Sequence, residues 1–380
     1  MNIKIIDRYL LRQFIKTFIV CYLSLTGLYI VFDAFTHLEE FIRCGEKSGG
    51  LLPLMAEFYG YKAILFFDRT AGLLALVSAM FTISWIQRHN EMTALMSAGI
   101  SRVRVAAPII AAGVFVALVA AGSRETLIPR YRNEMARTPF DLIGDKGQPL
   151  EARYDNQTDI LIRGDRTFGD GQRIDGPNFL LPRGMRDYGK QIVAKEAFYH
   201  PPEGERPGGY LFDKVRHPKQ LTERESLTLD GKPVVIMPAD APGWLKPDQC
   251  FVVSDVTFDQ LTGGRAFREF SSTRQLVSGL ANPSLDFGAD VRVAIHARLV
   301  NPLLDVTLLM LGLPLVVTRQ SRNVFIAIAM CAGVVTLFLL VVIASQHLGT
   351  MLVISPAMGA WLPLMIFAPA AVGMAGAMWE

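Results

Sequence analysis

Charge is scarce in this 380-residue sequence: 19% of residues are charged and 51% are apolar, where a soluble domain averages roughly 25% charged. No sign of charge dominates. The net charge of +3 lacks the concentrated basic surface of a nucleic-acid binder, and no nucleic-acid partner is expected. The four cysteines (Cys21, Cys44, Cys250, Cys331) are scattered, two of them inside apolar runs, and no pair has zinc-ligand spacing. A Cys44–Cys250 disulfide requires both to face an oxidising compartment; free thiols are the expectation. There is no Gly-x-x-x-x-Gly-Lys-Ser/Thr phosphate loop, no His-Glu-x-x-His and no Gly-x-Ser-x-Gly, motifs that carry nucleotide, zinc-hydrolase and serine-hydrolase chemistry. The six histidines form no close metal-binding pair. The chain does not read as an enzyme, and no cofactor or catalytic residue is expected on it.

What charge there is lies in one place. Of 38 basic and 35 acidic residues, 49 fall between 123 and 296, and the other 206 residues share 24. This excludes a single soluble globule and points to membrane-embedded ends around a water-facing middle. Crossing the hydrocarbon layer takes roughly 20 mostly apolar residues. Six segments meet that length or nearly so: residues 14–32, 63–86, 105–122, 299–318, 324–345 and 351–378. Asp68 and Arg69 sit near the start of the second, and Pro356, Pro363 and Pro369 lie in the last.

Short-loop charge gives an orientation. The first sixteen residues carry Lys4, Arg8, Arg12 and Lys16, Arg88, Arg102 and Arg104 join the second span to the third, and Arg319 and Arg322 join the fourth to the fifth. The connection over 33–61 is acid-rich instead, with Asp33, Glu39, Glu40, Glu46 and Glu57. Six crossings put all three basic regions on the cytoplasmic side, with both termini, and leave the charged middle outside. The first apolar run is longer than a signal-peptide core and is followed by no small-x-small site, so it is expected to stay as an anchor.

Short apolar or alternating runs fill the middle: 159–163, 178–181, 191–199, 209–215, 233–237 and 250–258. Between them stand Gly169-Asp170-Gly171, Pro201-Pro202, Asp230-Gly231 and Gly263-Gly264. Such spacing predicts an all-β sandwich or curled sheet. Over 191–199, Ile192, Ala194, Glu196 and Phe198 share one face and Val193, Lys195, Ala197 and Tyr199 the other. Neither face is cleanly polar, which fits a two-sheet core or a sheet whose open interior takes acyl chains. Residues 271–280 read as helix again.

The segment Arg88-His-Asn-Glu-Met-Thr-Ala-Leu-Met-Ser-Ala-Gly-Ile-Ser101 carries the most information. Asn90 can cap a helix running through Ala98, Glu91 suits its positive end, and Gly99 can close it in the left-handed conformation. Met92, Leu95 and Met96 recur at i, i+3 and i+4 as an apolar stripe. This predicts a two-turn amphipathic helix between two spans, which either lies on headgroups or docks in a partner's groove.

Two dozen residues around 88–101 resemble the Asn-Glu…Ala-Gly-Ile-Ser signature of the LptF/LptG (YjgP/YjgQ) permease family. Ile128-Pro129-Arg130-Tyr131-Arg132-Asn133 is similar to that family's exit from its third span, and His296-Ala-Arg-Leu-Val-Asn-Pro302 with Leu311-Gly-Leu-Pro314 is similar to its fourth. The resemblance implies an α-helical membrane bundle of six transmembrane helices with an inserted periplasmic all-β jellyroll-like domain. The parts are expected at 1–122 (with a cytoplasmic coupling helix at about 88–100), 123–296 and 297–380. It also implies a lipopolysaccharide export permease of ABC type. Its expected partners are an LptB-like ATPase dimer that uses the ATP, a second LptF/LptG-type permease subunit, and LptC-like and LptA-like periplasmic jellyrolls. Arg88, Asn90, Glu91, Met92, Leu95, Met96 and Gly99 would form the ATPase-coupling site, with Glu91 engaging a basic residue of the ATPase and the Met92/Leu95/Met96 stripe filling its groove.

Asp305 lies one turn into the fourth span, where the family pattern is apolar. A carboxylate there costs about 2.5–3.5 kcal/mol on insertion scales, so it is expected to face a cavity or a partner. Arg69 beside Asp68 reads either as a neutralised pair or, with Lys62, Arg130 and Arg132, as part of a basic rim for lipid phosphates. Lys62, Arg69, Arg130, Arg132 and Asp305 are thus the candidate lipid-binding residues. Two rival functions fit the same architecture: a permease for a different lipid, and a membrane sensor or scaffold whose β-domain binds a ligand.

Overall fold

A computed structural model describes residues 5–45, 50–137, 147–182, 190–204, 206–229, 231–241, 243–280, 282, 287–317 and 324–376. The chain opens with α1 (Ile5–Thr36), α2 (Leu38–Gly45), α3 (Leu51–Arg88), α4 (Glu91–Ser97), α5 (Arg102–Arg130) and α6 (Arg132–Ala136). Eleven strands follow: β1 (Gln148–Pro149), β2 (Arg153–Asp155), β3 (Ile160–Ile162), β4 (Arg166–Phe168), β5 (Arg173–Asp175), β6 (Asn178–Leu180), β7 (Gln191–His200), β8 (Gly209–His217), β9 (Leu227–Leu229), β10 (Lys232–Ile236) and β11 (Cys250–Val253). Then come α7 (Phe258–Phe270), α8 (Thr273–Leu280), α9 (Ala289–Val317), α10 (Val324–Thr350) and α11 (Pro356–Gly376). Two compact units result: residues 1–135 with 288–380, and residues 136–287.

In the helical unit α1, α3, α5, α9, α10 and α11 are each long and apolar enough to cross a membrane. A span in hydrocarbon satisfies its backbone only within itself, so helices are the form such runs take. Several run well past their apolar stretch. α3 begins at Leu51 rather than near 63, because residues 51–62 are mostly good helix formers and Pro53, in the first turn, owes no hydrogen bond. α5 continues past Gly122 to Arg130. α11 starts at Pro356, not at Met351: Leu352 stands at φ +59°, which no helix continues, and Ser355 Oγ accepts from Met358 N as the new cap. Pro at the first helical position is pre-set for that role. The core of this unit joins Leu76, Ile83 and Ile86 of α3, Val105 and Ile109 of α5, and Leu304, Leu308 and Leu311 of α9.

In the second unit all strand pairings are antiparallel and form one curled sheet, β1-β4-β5-β7-β8-β11-β10-β9, with β2-β3-β6 joining at β7. β7 is the fork: along one edge it pairs with β8, and on the other it pairs first with β6 (Phe179 opposite Ile192), then with β5 (Ile174 opposite Ala197). The alternation read from the sequence breaks there. Ile192 and Ala194 are buried, but the next buried residue is Ala197 rather than Glu196. β8 slips register opposite Val193 and Ala194, with Lys214 in the left-handed region, and such a bulge changes which side chains face inward. Phe179, Ile192, Tyr210, Phe212 and Val252 pack inside the curl, and Tyr210 Oη donates to the Val256 carbonyl at 2.9 Å. One curled sheet, not two facing sheets, carries this buried apolar cluster.

Two sequence expectations fail in this unit. The run 250–258 is strand only to Val253, because Thr257 and Gln260 form a capping box that starts α7. Gly263-Gly264 is no breaker but lies inside α7. Asp230 of the expected Asp-Gly turn lies outside the described residues; Gly231 takes φ +77° between β9 and β10. Residues 273–280 are helix as expected. Cys21, Cys250 and Cys331 are free thiols, and the Cys44 side chain lies outside the described residues.

Candidate functional site: a short connecting helix and a charged cavity

The predicted connecting helix is α4, seven residues between the ends of α3 and α5. Its termination follows the sequence closely. Gly99, at φ +76°, donates its N–H to the Met96 carbonyl (3.0 Å) and Ile100 donates to Leu95 (3.0 Å), a Schellman closure. Ser101 then caps α5 by accepting from Arg104 N at 3.3 Å. The Ala-Gly-Ile-Ser run therefore ends one helix and starts the next with one residue between, and Ile100 packs on the core.

Its start differs from expectation. Asn90 stands in the left-handed region (φ 58°) and its side chain caps nothing; its carbonyl accepts from Ala94 N at 3.1 Å. Asn tolerates that conformation better than other side chains, so its service is to the backbone reversal between α3 and α4. The apolar stripe is also divided. Met92 is 6% exposed and packs with Leu95 on the core of this chain's own bundle, while Met96 is 37% exposed. A two-turn helix spanning about 10 Å has one apolar face, and here its own spans take that face. What remains outward is Thr93, Ala94, Met96 and Ser97, with Arg88 exposed at the end of α3. Glu91 is half-buried, and both its carboxylate oxygens accept from Tyr9 Oη, at 3.1 and 2.9 Å.

A second feature lies among α3, α5, α9 and α10. A cavity of about 290 Å³ is lined by Asp68, Arg69 and Gly72 of α3, Ala117, Ala120 and Arg124 of α5, and Arg298, Asn301, Pro302 and Asp305 of α9, with Phe338, Leu339 and Val342 of α10 also at its wall. The spacings are those of single helix faces: 68 and 72, then 117, 120 and 124, then 298, 301, 302 and 305. Gly72 makes room here, because a Cβ would overlap the Asp305 carboxylate and force it to shift. Arg124 Nε and Nη2 both donate to Asp68 Oδ2, the first at 3.0 Å, and the Asp68 side chain is only 8% exposed. Three guanidinium groups and two carboxylates thus share one enclosure.

Of the residues expected to form a lipid rim, the structure brings Arg69 and Asp305 to this cavity. The others do not line it. Lys62 Nζ donates to the Met135 carbonyl at 2.9 Å and sits over the Phe58 ring. Arg130 lies over Tyr131, and Arg132 belongs to α6. The rim is not one cluster, because 62 and 130–132 lie at least one and a half turns along their helices from the cavity faces. Asp68 accepts two bonds from Arg124, a partner the sequence reading did not name. Arg124 and Arg298 were missed. The signal was the face periodicity through Ala117, Ala120 and Arg124, hidden by ending the third span at Gly122.

Six helices long and apolar enough to cross a membrane, four of them lining a charged cavity, with a short helix joining two of them and a β-unit inserted in the chain, are the architecture of a polytopic membrane protein. The profile of the lipopolysaccharide export system permease LptF/LptG matches residues 8–182 and 219–375, and the chain belongs to that family. It is a multi-pass inner-membrane transport subunit of the lipopolysaccharide export system. A comparison with curated proteins finds no match.

Proposed function

We propose that this chain is one permease subunit of an ABC-type exporter that extracts lipopolysaccharide from the inner membrane and passes it to a periplasmic bridge. An ATPase dimer, binding at α4, supplies the work, and a second permease of the same family completes the transport path. The observation that carries the reading is the construction of α4. It is locked to the bundle by Met92, Leu95 and the closure at Gly99, yet presents Thr93, Ala94, Met96 and Ser97 outward. A lever must be stiff toward its own protein and open toward the part that pushes it. The groove contact accordingly falls to Met96 and its small neighbours. Arg88, Arg102 and Arg104 flank α4, which supports a cytoplasmic position for it and for the termini, and so a periplasmic β-unit. The cavity holding Asp68, Arg69, Arg124, Arg298 and Asp305 serves as the polar point of contact for lipid phosphate.

The test is Glu91→Lys in the complex reconstituted with its ATPase. Stimulated ATP hydrolysis is expected to fall to the uncoupled level while the β-unit remains folded by circular dichroism. Wild-type stimulation would overturn the assignment of α4. Build-up of lipopolysaccharide in the inner membrane on depletion of this chain is the matching expectation in cells; normal outer-membrane assembly would contradict it.

A further inference from the structure

The segment connecting the second and third spans does not stand alone. α1 reaches it twice, once on each side. Tyr9 Oη bonds Glu91, in the first turn of α4, at 3.1 and 2.9 Å. Two residues earlier, Asp7 Oδ2 accepts from Arg104 Nη2, in the first turn of α5, at 2.7 Å. Just past these ties and one turn farther on, Leu10 and Phe14 are fully buried in the same core as Met92, Ile86, Val105 and Ala106. Farther along α1 only Thr26 is buried, and Ile15, Ile19, Val20, Leu23, Leu28 and Val31 are exposed. The first three turns of α1 are therefore gripped by α4 and the beginning of α5, while farther along α1 packs on α3 through Phe18 and Tyr22 on Phe67, Tyr29 on Phe66, and the Tyr22–Ala63 (3.0 Å) and Tyr59–Asp33 (2.9 Å) hydrogen bonds.

We propose that α1 is an output arm of the coupling device: Asp7 and Tyr9 are positioning residues that make the first span follow α4, so that a push on α4 swings α1 as well as α3 and α5. This rests on the reading of α4 as the ATPase-coupling element. A helix tied to α4 and α5 at one end and packed on α3 along the rest moves with them as one rigid body when α4 is pushed. The tie to Glu91 has a second consequence. Tyr9 and a cationic partner compete for one carboxylate, so engagement of Glu91 by an ATPase side chain weakens the Tyr9 bond, and the Asp7–Arg104 pair keeps α1 in step meanwhile.

The experiment uses the full complex with its ATPase in lipid nanodiscs and reads three quantities: ATPase co-purification, ATP hydrolysis, and lipopolysaccharide released per ATP. Tyr9→Phe keeps the ring and removes both bonds; Asp7→Asn removes the charge pair. For the double variant the ATPase is expected to co-purify as in the wild type and to hydrolyse ATP, while lipid released per ATP falls about tenfold, the loss of roughly one bond to a charged group. The swap Asp7→Arg with Arg104→Asp in the Tyr9→Phe background is expected to recover several-fold of that loss, which a purely local folding defect would not do. An unchanged lipid-per-ATP ratio overturns the output arm and leaves α4 as the coupling element. Loss of ATPase co-purification in the Tyr9→Phe, Asp7→Asn variant also overturns it, since the two residues then serve docking. Only Glu91→Lys retaining stimulated hydrolysis reaches the underlying reading.

Discussion

Removing Arg124 should cost more than removing its partner, and the asymmetry can be worked from the geometry. Asp68 is 8% exposed and receives two N–H bonds from Arg124, whose own side chain is 26% exposed. Breaking a buried pair from one side costs about 3–5 kcal/mol because a charge is stranded. The cavity of about 290 Å³ beside it admits water, and Arg69 and Arg298 also line it, which lowers the expected cost of Arg124→Gln to roughly 2–3 kcal/mol. Asp68→Asn strands a more exposed guanidinium that can turn toward Asp305, at about 1–2 kcal/mol. The double variant leaves two neutral amides able to bond each other and should lose about 1–2 kcal/mol, giving a coupling energy of roughly 2–3 kcal/mol. Unfolding in mixed detergent micelles, followed by circular dichroism at the helix band, measures all four corners of the cycle. Additivity within about 0.5 kcal/mol would refute the pair as a structural element of the bundle.

Three further outcomes concern the β-unit. A Cβ at Gly209 would overlap the Val252 carbonyl and crowd Phe251, so Gly209→Ala should separate β8 from β11 and lower stability by about 2–4 kcal/mol, read from Trp244 fluorescence, whose ring packs on Phe251; an unchanged midpoint contradicts the close approach. The Ser226 hydroxyl and backbone N–H (2.7 Å) hold the Asp240 carboxyl below its usual range. A depressed acid adds stability above its unfolded value and loses it as pH falls through the folded one. Asp240→Asn should therefore destabilise the unit at pH 7 and have little effect near pH 3, and an equal loss at both would refute the linkage. Burial pushes the Cys250 thiol up to about 12, so maleimide at pH 8 should label it only after denaturation; rapid labelling of the folded chain at that position would show an opening the packed curl does not have.

The membrane-spanning runs, the β-rich middle and the closure of α4 at Gly99 were legible because each is written in consecutive residues: long apolar stretches, alternation with turn chemistry, and a glycine at a left-handed position. The boundaries of the spans were less so. α3 and α5 continue into polar residues because helix propagates through good formers once packing has fixed it, and this hid Arg124 from a reading that stopped at Gly122. The stripe of α4 was legible as a stripe, but not its division, with Met92 and Leu95 packed on the chain's own bundle and Met96 exposed.

What the sequence determined by itself is composition and period, and through them six helices, a curled sheet and a short helix between two spans. Which apolar face meets which surface is a different kind of fact. Met92 and Leu95 turn to their own bundle, Arg124 reaches Asp68 across 56 positions, Tyr9 reaches Glu91 across 82, and Gly72 makes room for Asp305. Each of these depends on helices from distant parts of the chain meeting at a particular depth and rotation. Local periodicity fixes the face a residue occupies; only the packing of one helix on another decides what that face touches.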